Sequence, residues 1–470
     1  MGGLNCREIT LKEVLANKDK RIDSQFWTTC ISKNTRYTYS KIGNILLSSQ
    51  YGMSVDMNTE GIGYPIFRMN EMHNMLTDLE VEKYANVSNI EYQIFSLNNK
   101  DVLFNRTNSY EWVGRTGIYY KNDNTPFTYA SYLVRFVPDN SVVLPEYLTA
   151  FLNTSIGIKA IKARARQSVN QTNVNPEEVK EIEIPLITME FQKIIECMFL
   201  TANEQRVVAR SLYNEALRQL EQCINISVDI ARNRYTEKML SDSFNVSGRL
   251  DAEYYQPKYD ELFEGLKKHN TKYLGGDNGL VDIKKSIEPG SEAYQDEGIP
   301  FVRVSDVDKF EISNPDIKIS KNIVSSIETL YPKKDTILFS KDGSIGIAYK
   351  VQEDLEVVTS GALLHLTVKD TNEILPDYLT LVLNSFVVQL QAERDCNGAI
   401  IQHWKPSDIE KVIIPVLDMD EQKEIAEKVQ ESFRLRKKSK ELLDIAVKAV
   451  EMAIETDEQT ALSWLSSQNV

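Results

Sequence analysis

Residues 144–195 of this chain are written again, respelled, as residues 375–425, and this internal repeat limits the fold more than any other feature of the sequence. The earlier copy opens LPEYLTAFLNTS and closes IEIPLITMEFQKII, while the later opens LPDYLTLVLNS and closes IIPVLDMDEQKEI. Pro185 and Gln192 recur at the same spacing as Pro415 and Gln422. Two more echoes lie upstream: RIDSQFW from Arg21 answers RLDAEYY from Arg249, and GYPIFR ending at Arg68 answers GIPFVR ending at Arg303. The chain is a tandem duplication of one large unit, and 470 residues are too many for a single core.

Within each copy the text changes character in the same order. From about residue 38 to 136, short apolar runs such as YPIFRM and DVLFNR alternate with polar clusters, which predicts short strands joined by turns. The second copy offers IPFVRVSDV, DTILFSKDG and GIAYKV. Pro145 opens a helix, Pro being well tolerated in the first turn. Beyond Pro185, from Met189 to Ile230, there is neither Gly nor Pro, and apolar residues recur every three or four positions. That pattern predicts an amphipathic helix of about 35 residues, roughly 50 Å long.

Its seam is expected at Ile194, Met198, Ala209, Leu212, Ala216 and Leu220, and that of the second long helix at Ile425, Val429, Phe433, Leu443, Ala446 and Val450. The fold class is therefore α+β, a tandem repeat of two strand-rich domains, each followed by a long helix, the two helices packed as an antiparallel coiled coil. The expected division is a lead-in over 1–20, a first domain over 21–187, a helix over 188–236, a second domain over 237–417, a helix over 418–456 and a polar tail over 457–470 that frays. Helices of this length exceed one turn of DNA, about 34 Å, so the geometry suits a two-headed DNA reader.

Charge argues the other way at first sight. The net charge of −14 is unlike that of a free-standing nucleic-acid binder. Mean hydropathy is −0.34, and with no apolar run of about 18 residues a membrane span is not expected. The opening MGGLNCREIT lacks an apolar signal core, which points to the cytoplasm. Five cysteines show no CxxC, so Cys197 and Cys223, on helical text, are expected as buried free thiols. Four histidines without ligand spacing predict no metal site.

Framework segments match between the copies, whereas the segments between them do not. Asn105, Arg106 and Asn108 stand where Ser340, Lys341, Asp342 and Ser344 stand in the second copy. Gln171 and Asn173 precede the helix-opening Pro176 as Gln402, His403 and Lys405 surround the approach to Pro406. Lys159, Lys162, Arg164 and Arg166 form a basic cluster. Such side chains bond base edges and phosphates, and unlike readers on like scaffolds predict an asymmetric target in two parts. The plainer readings are turn chemistry for Asp342–Gly343 and a solvated helix face for the basic cluster. Arg68 and Arg303 match across the repeat, which favours a structural or phosphate role. Asp23 and Asp251 are expected in a salt bridge or cap, and Phe26, Trp27, Tyr254 and Tyr255 in the core.

With FSKDGSIG over Phe339–Gly346 and GAIIQHW over Gly398–Trp404, the chain from about Arg21 to Glu455 resembles the DNA-specificity subunit of type I restriction-modification systems. The resemblance implies two target-recognition domains, each reading half of a bipartite site on double-stranded DNA, with the helices setting the spacer. It implies docking of two methyltransferase subunits and of restriction (translocase-nuclease) subunits. Those partners would carry the S-adenosylmethionine, ATP and Mg and would share phosphate neutralisation, while this chain binds no cofactor and catalyses nothing alone. The first copy departs from the family pattern at Phe104-Asn105-Arg106 and between Arg166 and Gln171. Two other readings stay open: a duplicated protein–protein scaffold, and an enzyme. The second finds no phosphate loop, no (Asp/Asn)-Pro-Pro-Tyr methyltransferase signature, and only the scrap Pro315-Asp316-Ile317-Lys318 of a nuclease pattern.

Overall fold

In each copy the short apolar runs become strands of two sheets, a main sheet whose central strands pair antiparallel and a smaller one. The structure, a computed structural model, describes residues 6–29, 31–169, 171–228, 235–313, 315–396, 398 and 402–468. It divides into one unit of Met1–Val208 with Leu435–Val470 and another of Ala209–Arg434.

The first unit's sheet runs Leu46–Tyr51, Leu133–Pro138, Val102–Asn105, Thr116–Ile118, Leu76–Thr77 and Met72–His73 in spatial order. Val102–Asn105 is buried along its whole length, which is why its text is a continuous apolar run ending in one polar residue. Helices Pro145–Asn153 and Ser155–Arg164 join the same core, which holds Phe104, Phe136, Tyr147 and Phe151. The second unit repeats four of these strands in the same order, as Val281–Lys285, Leu363–Val368, Ile337–Ser340 and Ala348–Lys350. Each unit also has a smaller sheet containing one parallel pair, Tyr64–Phe67 with Thr128–Tyr129 and Ile299–Val302 with Val358–Thr359.

The residues that match across the repeat carry the same bonds in both units. Tyr39 pairs with Pro185 in a two-stranded ladder, as Thr271 does with Pro415. The Tyr147 hydroxyl donates to the Pro185 carbonyl at 2.7 Å, and that of Tyr378 to Pro415 at 2.8 Å. Gln192 accepts from the Leu144 amide at 2.8 Å, and Gln422 from Leu375 at 3.0 Å. Both glutamines are buried, and satisfying a buried amide on every side is what makes the residue indispensable at that place. Arg21 pairs with Asp23 at 2.6 Å and Arg249 with Asp251 at 2.8 Å, so these aspartates are ion-paired, and Asp23 also caps the helix Ser24–Thr28.

The long helices are Met189–Ile224, of 36 residues, and Met419–Glu455, of 37. In the first unit Ile195, Phe199 and Ala202 share a core with Leu443, Ala446 and Val450, and the Ser439 hydroxyl bonds the Ala202 carbonyl. In the second, Ala216, Leu220 and Ile224 share a core with Ile425, Val429 and Phe433. There Ser432 donates to Ala209 and Lys428 to Gln219, so residue numbers fall on one helix as they rise on the other, and the seam is antiparallel.

Several expectations need correcting. Ile194 is 38% exposed and Ile195 takes the seam position. Leu212 is only half-buried, next to the buried Tyr213. The first helix stops at Ile224, where Asn225 adopts a left-handed conformation (φ 44°), and Ile230 lies outside the described residues. Cys197 is exposed and Cys223 half-exposed. Phe26, Trp27, Tyr254 and Tyr255 are half-buried, Phe26 and Tyr254 lying 5.0 and 4.6 Å from the guanidinium of Arg21 and of Arg249. Most of the expected tail is ordered: Glu458–Ser467 is a helix capped by Asp457, with Ala461 buried and Leu462, Trp464 and Leu465 packed on the core, while Asn469 and Val470 lie outside the described residues.

Candidate nucleic-acid interface

In each unit a central strand of the main sheet ends in a loop at the equivalent position. In the first unit Val102–Asn105 ends, the Arg106 amide donates to the Tyr132 carbonyl at 2.9 Å, and the Val174 amide donates to the Arg106 carbonyl at 2.9 Å. In the second unit Ile337–Ser340 ends, the Lys341 amide donates to Ala362 at 2.9 Å, and the Trp404 amide donates to Lys341 at 2.8 Å. Thus Arg106 corresponds to Lys341, Val174 to Trp404, Thr107 to Asp342 and Asn173 to His403. Residues far apart in the chain are paired: Thr107–Asn108 with Thr172–Asn173, itself paired with Arg166–Gln167, and Asp342 with His403.

The side chains divide into those that build the loops and those that face out. Asn105 and Ser340 are buried. Asn105 accepts from the Thr107 amide at 3.2 Å. Ser340 donates to the Ser344 carbonyl at 2.6 Å and accepts from the Ile347 amide at 2.9 Å. Both shape their loops and have no free face for a base edge. Gly343, with φ of 74°, makes the turn that brings its amide to the Gln402 carbonyl at 3.0 Å. Arg106 lies 5.2 Å from the Tyr51 ring, and Asn108 accepts from the Ser109 amide. Lys341 is ion-paired with Asp342, whose other oxygen lies 2.8 Å from His403 Nδ1. Gln171, Ser344, Gln402, His403 and Lys405 are exposed and Asn173 is half-exposed. Of the GAIIQHW motif, Ala399, Ile400 and Ile401 lie outside the described residues, as does Asn170 in the first copy.

The basic cluster does not stay together. Lys159 is exposed. The Lys162 ammonium donates to the Tyr110 carbonyl and, at 2.9 Å each, to those of Glu111 and Val113, and burial pushes it down to about 8. Arg164 turns inward to the carbonyls of Glu178 and Ala160, and burial lowers its pKa too. Arg166 pairs with Asp19. Among the described residues, then, Lys162 and Arg164 are turned to backbone carbonyls, Arg166 is ion-paired at the surface and Lys159 is exposed.

The two framework arginines behave alike. Arg68 pairs with Glu71 and Glu82, and Arg303 with Asp306. One residue escaped the sequence reading, Thr107, whose neutral hydroxyl bonds Asn173 Oδ1 at 2.6 Å, and only its position beside Arg106 could have revealed it. Trp404, the last residue of GAIIQHW, is buried with its ring 5.8 Å from that of Phe339. Among the described residues no three His, Cys, Asp or Glu side chains gather as a metal site, and no helix is long and apolar enough to cross a membrane.

Residues 278–444 match the family model described as the type I restriction modification DNA specificity domain. A putative type I restriction enzyme MjaX specificity subunit from Methanocaldococcus jannaschii is 23% identical over 87% of this chain and 90% of its own. The EcoBI specificity subunit of Escherichia coli is 24% identical over 62% of this chain and 57% of its own. Among solved structures, the S subunit of a type I restriction-modification system from M. genitalium aligns at 13% identity over 92% of this chain and 96% of that one, with a TM-score of 0.36.

Proposed function

We infer that this chain, a DNA-specificity subunit of the type I restriction-modification family, reads an asymmetric target in two parts, one with each strand-rich region. It is the specificity component of its enzyme complex and not the catalyst. The observation that carries the two-part reading is the pair of loop clusters, alike in backbone bonding and unlike in side chains. Arg106, Thr107 and Asn173 hold the places of Lys341, Asp342 and His403. Polar groups of these types bond base edges, and different groups on one scaffold select different bases.

Residues 21–187 and 237–417 serve as the two target-recognition domains, and Met189–Ile224 and Met419–Glu455 supply the helices that set the spacer. At 36 and 37 residues the helices are about 54 and 56 Å long, more than one DNA turn of about 34 Å. Two methyltransferase subunits dock on the chain, holding S-adenosylmethionine, and restriction subunits add ATP- and Mg-dependent translocation and cleavage. This setting, inside the cell, reconciles a net charge of −14 with DNA binding, because the partners supply much of the phosphate neutralisation.

Expression with the cognate methyltransferase subunit, followed by mapping of methylated adenines in the host DNA, tests the reading. The expected motif is asymmetric, with two specified stretches around an unspecified spacer. A continuous or palindromic motif, or no motif, would overturn it. Fluorescence anisotropy adds a second check: the complex should bind duplex DNA far more tightly than the isolated chain, and equal affinity and salt dependence would refute shared neutralisation.

A further inference from the structure

At one equivalent place the two units present hydrogen-bonding groups of opposite polarity. In the first unit Thr107 and Asn173 face each other across an antiparallel pair, and the threonine hydroxyl donates to Asn173 Oδ1 at 2.6 Å. The amide's carbonyl is thereby engaged, and its Nδ2 group, which bonds nothing among the described residues, is left as a donor. In the second unit Asp342 and His403 face each other across the corresponding bridge, and Asp342 Oδ1 lies 2.8 Å from His403 Nδ1. A carboxylate only accepts, so Nδ1 carries the hydrogen, and when the ring holds that one hydrogen Nε2 is an acceptor. The other carboxylate oxygen takes the Lys341 ammonium, which holds Asp342 in place. The His403 side chain is 61% exposed, while Trp404 behind it is 1% exposed and anchors the strand.

We propose that Asn173 and His403 are specificity-determining residues of opposite sign, with Thr107 and Asp342 as the positioning residues that set that sign. The proposal rests on the two-part reading above. An outward amide donor selects base-edge acceptors, namely N7 of a purine, O6 of guanine or O4 of thymine. An outward imidazole acceptor selects the amino group of adenine or cytosine. The half-site read by the first unit therefore has an acceptor edge, and the half-site read by the second an amino edge, at the position each residue reaches. Neither assignment follows from residue type alone, since asparagine and neutral histidine each carry both a donor and an acceptor; the partner across the strand decides.

Two nearly isosteric substitutions reverse the polarity at each place. N173D keeps an oxygen for the Thr107 hydroxyl and turns an acceptor outward. D342N offers an amide hydrogen to His403 Nδ1, moves the ring hydrogen to Nε2 and turns a donor outward without altering His403. The full chain, assembled with its methyltransferase subunit, is allowed to methylate a pool of randomised duplexes, and the modified duplexes are sequenced. N173D should change base preference at one position of one half by about tenfold, and D342N at one position of the other half by a similar factor, the remaining positions holding. T107V, which removes only the hydroxyl, should loosen the position that N173D changes, and it tests that position should N173D not assemble. Preferences within twofold of the parent in all three variants, a uniform loss across all sequences, or one substitution altering both halves would overturn the proposal. Failure of the parent complex to give a two-part motif would instead overturn the function on which it rests.

Discussion

The Ser439 hydroxyl donates to the Ala202 carbonyl at 2.7 Å, across a seam in which both residues are buried. Small side chains here let one helix approach the backbone of the other, and the hydroxyl finds an acceptor that the helix's own hydrogen bonding leaves with a spare lone pair. S439L should overfill this seam and cost about 1–3 kcal/mol, read as a lower urea midpoint for the full chain. An unchanged midpoint would mean that the helices do not pack this closely.

Gln192 and Gln422 each hold three backbone groups: an amide at Leu144 or Leu375, and carbonyls at Val142 and Ile187 or at Glu373 and Leu417. Removing one partner of a buried hydrogen bond leaves the other desolvated and unpaired, at about 1–3 kcal/mol. Q192L and Q422L should therefore destabilise by similar amounts in urea unfolding. A marked difference between them would show that the repeat is conserved in spelling but not in energetics.

Burial lowers His365 to about 4, Lys284 adding to the effect, and its Nε2 lies 2.8 Å from the Thr359 hydroxyl. In the unfolded chain the ring titrates near 6.5, so between these values the unfolded state binds more protons and stability falls as pH falls. The contribution lost between pH 7 and 5 is about 2 kcal/mol. H365N should lose correspondingly less stability than the parent over that interval, measured by urea unfolding at each pH. Parallel losses would show that the ring is protonated in the folded state.

Lys159 and Lys162 lie one helical turn apart and have different work. K159A should weaken binding of the complex to all duplexes alike and reduce the salt slope by about one. K162A should leave the slope alone and lower the unfolding midpoint instead, because its ammonium holds the carbonyls of Tyr110, Glu111 and Val113. Salt titrations by anisotropy, with melts alongside, separate the two.

The repeat was legible because the residues that spell it are those whose bonds the fold cannot spare: Tyr147 and Tyr378, Gln192 and Gln422, Arg21 and Arg249. The loop partners were legible as neighbours of matching prolines, and they do meet in space. Their roles were not, since a charge in sequence does not announce its acceptor. Arg164 and Lys162 look like phosphate ligands until the carbonyls facing them are known. Ile194 and Ile195 are chemically identical, and only packing chooses between them. The tail hid its order because Ala461, Leu462 and Leu465 are diluted by polar neighbours, although they recur at helical spacing.

The central claim is that two unlike heads on one duplicated scaffold each specify half of a DNA target. Its most direct test replaces residues 38–175 with the matching segment of a relative and maps methylated adenines in cells carrying the hybrid and its methyltransferase. The account predicts that one half of the motif changes while the other half and the spacer persist. An unchanged motif, or new sequence in both halves, would contradict it.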